Sequence, residues 1–308
     1  MSGKPLLVVV TGPTASGKTA LSISLAEALG CDIVSADSRQ VFRDIPIGTA
    51  APSVEERARV PHHLVGFLGL DEPYSAAAFE ADALRVLDGL FERRPVAVVC
   101  GGSMMYVDAL TGGIDDMPSI SDATRARVRD FYEQQGLDAL LAWLEIIDPE
   151  MHRIVDRRNP KRVIHAVEIT LQAGVPVSSL RTGQKKERPF DVLKFCIDMP
   201  RERLFGRINA RVESMMQAGL LEEARAVRHL RHLNSLNTVG YKELFAFFDG
   251  LMDLDTAVAR IAKNTRVYAK KQLTWLSRDA DLIRLAPETA AADALSIIEK
   301  LRHNETNA

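Results

Sequence analysis

Eight residues constrain this chain more than any others. Gly12-Pro13-Thr14-Ala15-Ser16-Gly17-Lys18-Thr19 satisfies G-x-x-x-x-G-K-[ST] at every fixed position. Residues 6–10 before it are a continuous apolar, β-branched run, as a strand buried on both faces requires. The Ala-, Leu-, Ser- and Ile-rich stretch after it, up to Leu29, reads as a helix. Strand, glycine turn and helix is the context in which this motif forms a phosphate cradle. Glycines let backbone N–H groups converge on phosphate oxygens, and the helix N-terminus adds partial positive charge. Lys18 supplies a mobile full charge, and Thr19 a hydroxyl for Mg²⁺. Gly12, Thr14, Ala15, Ser16, Gly17, Lys18 and Thr19 are therefore the candidate phosphate-binding residues, with Thr19 the candidate metal ligand.

The rest of the chain is read outward from that loop. Short apolar segments at 32–35, 63–67 and 96–100 alternate with a helical stretch at 75–93, for which Ser75 is a plausible N-cap. Such alternation indicates a parallel sheet. After Gly113 the character changes. Residues 121–173 show helical periods and no strand, punctuated by Asp122, Gly136, Pro149 and Pro160. A loop with Pro176, Gly183 and Pro189 leads to a returning strand at 192–198. Helices dominate 201–278, followed by a strand at 281–285 and a helix at 291–302. The expected fold class is α/β: a P-loop NTPase-like parallel sheet core flanked by helices, with a helical insertion domain. The core comprises 1–113 and 191–308, and the insertion 114–190. A chain of 308 residues, 46% hydrophobic, buries such a core without disulfides or metals. Cys31, Cys100 and Cys196 form no C-x-x-C pair and read as three buried small hydrophobes. The N-terminal apolar run is too short to span a membrane and carries no cleavage-site pattern, so the cytoplasm is expected.

The loop announces a polyphosphate, not ATP. P-loop ATPases usually carry an apolar strand ending in Asp that helps hold Mg²⁺. Here the matching strand ends Val98-Val99-Cys100-Gly101-Gly102, with no carboxylate. That points away from a motor or switch and towards a small transferase. Asp37 follows the second strand, and ligands of open α/β sheets bind beyond the carboxyl ends of the strands. Two readings stay open for it: a general base towards an incoming nucleophile, or a cap.

A net charge of −2 does not announce a nucleic-acid partner, but two segments are locally basic. Residues 153–165 carry Arg153, Arg157, Arg158, Lys161 and Arg162 against Asp156. Residues 260–278 carry Arg260, Lys263, Arg266, Lys270, Lys271 and Arg278 against no acid. Lys263, Arg266 and Lys270 fall on one helical face. Two such stripes favour RNA phosphates over a merely solvated surface. The interleaved Tyr268 and Trp275 read first as core residues, with base stacking as the alternative. His62 and His63 alternate across a strand, which argues against a shared metal.

Taken in order, these segments resemble the tRNA dimethylallyltransferases (tRNA isopentenyltransferases) over nearly the whole chain. The marks are GPTASGKT at 12–19, SADSRQVF at 35–42, GGSMMY at 101–106, RNPKRVIHAVE at 158–168, VGYKE at 239–243 and TRVYAKKQLTW at 265–275. The resemblance implies transfer of a dimethylallyl group from its diphosphate to N6 of the adenosine 3′ of the anticodon in tRNA, with Mg²⁺. It implies Asp37 as general base, and Lys18 and Arg211 on the diphosphate. Ser103 matches a position that helps place the reacting groups. Asp37, Ser38, Arg39, Gln40, Ser103, Arg125, Lys161, Arg162, His165, Lys242, Arg266 and Lys270 are the expected contacts to the tRNA anticodon stem-loop. Phe42, Met104-Met105, His165 and Val267 depart from common family residues, Tyr, Gly-Leu, Arg and Arg in turn. The last two bear on RNA docking, not on the chemistry. The alternatives are a small-molecule P-loop kinase, an isopentenyltransferase acting on free adenylate, and a non-catalytic RNA-binding protein. Nothing in the sequence requires more than a monomer.

Overall fold

The structure is a computed structural model and describes residues 4–306. Six strands form one parallel sheet: β1 (Leu6–Thr11), β2 (Ile33–Ser35), β3 (His62–His63), β4 (Val96–Cys100), β5 (Asp191–Ile197) and β6 (Leu282–Leu285). Their order is β3-β2-β4-β1-β5-β6. The central strand β1 is buried at all six positions. Its period of two divides the core into layers. Leu6, Val8 and Val10, with Val98, Phe195 and Ile197, pack on α1 (Lys18–Leu29) and on residues of later helices. Leu7, Val9, Ala97 and Val99 pack on Phe79, Ala83 and Leu87 of α3 (Ala76–Phe91), beyond the short α2 (Val54–Arg59). Tyr106 and Leu110 of α4 (Met104–Gly112) complete that layer.

The chain divides into two compact units, one formed by residues up to Gly112 and from Glu187 onward, the other by Gly113–Lys186. The second unit holds α5 (Asp122–Ile147), α6 (Pro149–Ile154), α7 (Pro160–Ala173) and α8 (Val177–Leu180). Its own core includes Val128, Leu140, Leu144, Val163 and Val167. Gly136 interrupts α5 with a φ of 79°. Asp148, fully buried, caps α6: it accepts the Met151 N–H at 2.9 Å, the Ser178 N–H at 2.8 Å and the Ser178 hydroxyl at 2.7 Å.

The first unit continues with α9 (Arg201–Gln217), α10 (Leu220–Ala226), α11 (Tyr241–Phe248), α12 (Leu254–Leu276) and α13 (Ala290–Thr306). A third cluster joins α9 to α12 with the 41–47 loop around fully buried Tyr241.

Three sequence expectations are corrected. The third strand covers 62–63 rather than 63–67, because Leu64 turns to a φ of 60° and ends the pairing. The insertion ends at 186 rather than 190: the Arg188 guanidinium is buried against Glu80 and the Leu110 carbonyl, and Phe190 sits in the sheet core. The helices at 54–59 and 104–112 are additional to those expected.

Candidate active site

A cleft of about 680 Å³ opens at the carboxyl ends of β1, β2 and β4, lined by residues of the first unit. Its floor is the 12–19 loop and the start of α1. Gly17 is the N-cap of helix α1 and brings no side-chain cap, and the first turn carries no acid, so the leading N–H groups stay open to an anion. Ala15 holds a left-handed φ of 63°, a strain of about 1–2 kcal/mol for a residue with a Cβ. The loop's cations come from three places. Lys18 donates to the Pro13 carbonyl at 2.8 Å. From α9, Arg207 Nε donates to the Ala15 carbonyl at 2.9 Å and Arg211 Nη1 to Thr14 Oγ1 at 3.2 Å. None of the three is in an ion pair among the described residues. Burial lowers the pKa of Lys18, with Arg211 adding to it. Burial, then neighbouring Arg207, lowers that of Arg211. An anion in the cradle reverses both effects, because it replaces the lost solvation with opposite charge.

Of the two readings that its sequence position left open, Asp37 is a cap in the structure, and it also lines the cleft. Its Oδ1 caps the turn after β2, accepting from Arg39 N at 2.9 Å and Gln40 N at 3.3 Å. Its Oδ2 takes no hydrogen bond among the described residues, and the residue lines the cleft. The turn is braced by Ser103. That hydroxyl accepts the Ser38 N–H at 2.8 Å and donates to Ser38 Oγ at 3.0 Å. Ser103 thus acts on the Asp37 turn through Ser38. Arg39 Nη1 donates to the Asn234 and Ser235 carbonyls at 3.1 and 3.0 Å. Gln40 Nε2 holds the Ala50 carbonyl at 2.9 Å, fixing the 48–50 wall. The Glu223 carboxylate fixes the same wall, taking the Ile47 and Gly48 N–H groups at 2.8 Å each.

The expected site residues therefore separate. Thr14, Ala15, Gly17, Lys18, Thr19, Asp37, Ser38, Arg39, Gln40, Arg211 and Lys242 line the cleft. Gly12, Ser16 and Ser103 lie buried behind the lining. Lys270 lines a shallower groove on α12 with Val267, Lys271 and Trp275. Arg266 is turned to Asn209. Arg125, Lys161, Arg162 and His165 are exposed on the second unit. Tyr268 and Trp275, read first as core, are each 40% exposed. Tyr268 forms part of the cleft wall, where burial and then the Asp37 charge push its phenol up to about 12. Trp275 Nε1 reaches Asp108 at 3.0 Å, so the ring lies along the surface. Cys31 and Cys196 are buried as expected, whereas Cys100 is only half-buried and lines the cleft.

Sequence reasoning missed Arg207, Lys271 and Gln272. Arg207 had a signal: it stands one helical turn before Arg211 and so shares its face. Lys271 lay inside the basic stripe but off the face chosen. Gln272 carried no signal beyond its place in the 265–275 segment, since an uncharged residue in an amphipathic helix announces no chemistry.

Among the described residues no group of three or more His, Cys, Asp or Glu can hold a metal ion. Thr19, at the cleft, fits Mg²⁺ as a single protein ligand to an ion otherwise held by phosphate oxygens and water, the manner this ion favours.

Comparison with known proteins narrows what such a cleft serves. The family model described as IPP transferase matches residues 40–279, and one described as isopentenyl transferase matches 5–62. A tRNA dimethylallyltransferase of Phocaeicola vulgatus is 50% identical over 297 residues, 96% of this chain and 99% of that protein. One from Cytophaga hutchinsonii is 45% identical over 276 residues, 90% of this chain and 91% of that one. The crystal structure of a Bacillus halodurans tRNA isopentenylpyrophosphate transferase superposes with a TM-score of 0.71 at 32% identity, covering 98% of this chain and 99% of that one. A eukaryotic dimethylallyltransferase described as acting on tRNA superposes at 0.83, covering 97% of this chain and 80% of that one; its 24% identity speaks for the fold alone.

Proposed function

The chain belongs to the IPP transferase family, whose members here are tRNA dimethylallyltransferases, and we propose that its cleft transfers a dimethylallyl group from dimethylallyl diphosphate to N6 of the adenosine 3′ of the anticodon. The observation that carries this reading is the pairing across one cleft: unpaired cations on the cradle side, and one unengaged carboxylate oxygen, Asp37 Oδ2, on the other.

In the reaction the allylic C–O bond breaks and an N6–C bond forms. An allylic carbon ionises readily because its cation is delocalised, so the demanding charge is the one gathering on pyrophosphate. Lys18, Arg207, Arg211 and the first N–H groups of α1 oppose that charge. Mg²⁺ held by Thr19 and the diphosphate oxygens would add a further positive charge there. The adenosine N6 is a poor nucleophile, since its lone pair is delocalised into the purine. Asp37 Oδ2 takes the N6 proton as the new bond forms, while Oδ1 stays fixed by the turn. The acceptor base must leave its stack to enter a cleft of this kind.

Among the described residues no helix is long and apolar enough to cross a membrane. On this reading the cytoplasm and a monomer are the expectation, since residues of one chain line the cleft. The test is transfer of label from dimethylallyl diphosphate to unmodified tRNA with Mg²⁺, with AMP and ATP as competing acceptor and donor controls. Label on tRNA alone is expected. Label on AMP would move the acceptor to free nucleotide, and phosphoryl transfer from ATP would point to a kinase.

A further inference from the structure

Gln272 is 2% exposed on the inner face of α12. The two ends of its amide reach two different loops of the cleft. Oε1 accepts the Thr14 N–H of the cradle at 2.8 Å. Nε2 donates to the Gly102 carbonyl, just past β4, also at 2.8 Å. The approach needs glycine: a Cβ on residue 102 would lie 2.6 Å from Nε2 and 3.6 Å from Lys18 Nζ. Among the described residues these are the hydrogen bonds that join α12 to the cradle and to the end of β4.

The consequence for the cradle is specific. The Thr14 N–H, which a phosphate-binding loop would otherwise offer to its ligand, is held by Gln272, while the Thr14 hydroxyl is held by Arg211. The shape of the loop is thus set from α9 and α12. Tyr268, one turn before Gln272 and on its face, and Lys271 line the same cleft, with Lys270 and Trp275 on the groove beside it. A planar amide bonded at both ends cannot follow a shift of its helix without lengthening one bond or both.

We infer that Gln272 is a positioning residue that couples RNA engagement on α12 to diphosphate binding in the cradle. The inference rests on the transferase reading above, which supplies the two ligands. Such coupling is reciprocal: RNA tightens the diphosphate by the factor by which the diphosphate tightens RNA.

The test measures binding of dimethylallyl diphosphate with and without an anticodon stem-loop carrying purine riboside at the acceptor position. That base has no N6 amine, so nothing is transferred. In the wild-type protein the stem-loop should tighten diphosphate binding by at least about fivefold, the low end of ordinary couplings. In Gln272→Met, of similar length without the amide, the ratio should fall to within about twofold of unity, while the stem-loop alone binds as before. Gln272→Glu keeps the acceptor for Thr14 and loses the donor to Gly102, so an intermediate ratio is expected; it carries the test if the methionine variant does not fold. A merely structural role would weaken both affinities and leave the ratio intact. An undiminished ratio in the variants overturns the inference, as does its absence in the wild type. Turnover of native tRNA by the wild type, read in parallel, separates the two levels. Turnover without coupling overturns this inference alone, and no turnover overturns the transferase reading beneath it.

Discussion

The two units handle charge away from water in opposite ways. In the helical unit, the buried Asp148 carboxylate meets three donors, from Met151 and Ser178. In the sheet unit, half-buried Lys18 and Arg211 face a cleft with no acid paired to either among the described residues. A satisfied buried charge holds a fold together, whereas cations set beside no acid suit an anionic ligand. The contrast predicts different phenotypes for removing a charge from each unit.

The largest effect is expected at Asp37. Asp37→Ala should lower transfer by about 10²–10⁴-fold, the usual worth of a positioned base, while tRNA still binds. Single-turnover rates and a filter-binding titration check the two halves. Near-normal turnover would remove the base assignment and leave Asp37 as a cap only. Next come Lys18→Met and Arg211→Met, each expected to slow transfer by about 10²–10³-fold, as for loss of one preorganised contact to developing charge. Because burial already depresses both pKa values, the folded protein should tolerate these losses without a fall in melting temperature. A large drop in stability would mean that the cations are structural after all.

Asp148 supplies the opposite case. Burial alone would raise its pKa, but hydrogen bonds from the Ser178 hydroxyl and from backbone N–H groups at Met151 and Ser178 outweigh it and hold the carboxyl below the ordinary Asp value. A carboxylate depressed on folding contributes stability above its unfolded pKa, and that contribution is lost as pH falls through the folded value. Protection of the α6 and α8 amides against hydrogen exchange should therefore fall in acid, below the ordinary range of an Asp carboxyl. Asp148→Ala should abolish that dependence and destabilise the helical unit by about 1–3 kcal/mol, because it strands buried donors. Transfer chemistry in molecules that remain folded should be unchanged.

The same contrast explains how much was legible beforehand. The place of the 12–19 loop at the cleft was readable, because strand, glycine turn and helix follow one another in one short run, whereas the hold of Gln272 on its Thr14 N–H was not. The sheet was readable because a strand buried on both faces, such as 6–11, needs an unbroken apolar run. The single-turn decisions were not. Leu64 ends β3 through a positive φ that nothing in its side chain announces. Arg188 belongs to the sheet unit through a partner, Glu80, 108 residues away. Gln272 joins α12 to a loop 258 residues earlier. Tyr268 and Trp275 look like core in one dimension because amphipathic spacing does not reveal that their side of α12 is left open. Asp37 was legible as a position, while which of its oxygens is engaged needed the turn itself.

The smallest expected effect tests the basic face of α12, where side-chain spacing alone treats Arg266 and Lys270 as equals. In the structure they are not. The Arg266 guanidinium is half-buried and engaged by Asn209, whereas Lys270 is exposed, its ammonium 5.7 Å from the centre of the Phe205 ring. Only a cation free to meet a phosphate releases a counterion from RNA. Removing one such contact should flatten the slope of log affinity against log salt by about 0.7 for a single-stranded segment and about 0.9 for a duplex. Lys270→Ala is therefore expected to lower the slope by that amount, and Arg266→Ala to leave it near the wild-type value. A titration of tRNA binding across salt concentrations reads both. Equal slopes for the two variants would mean either that RNA draws Arg266 away from Asn209 or that neither residue meets a phosphate. The wild-type slope decides between these: a drop in both variants indicates recruitment of Arg266, and no drop in either takes this face of α12 out of RNA recognition.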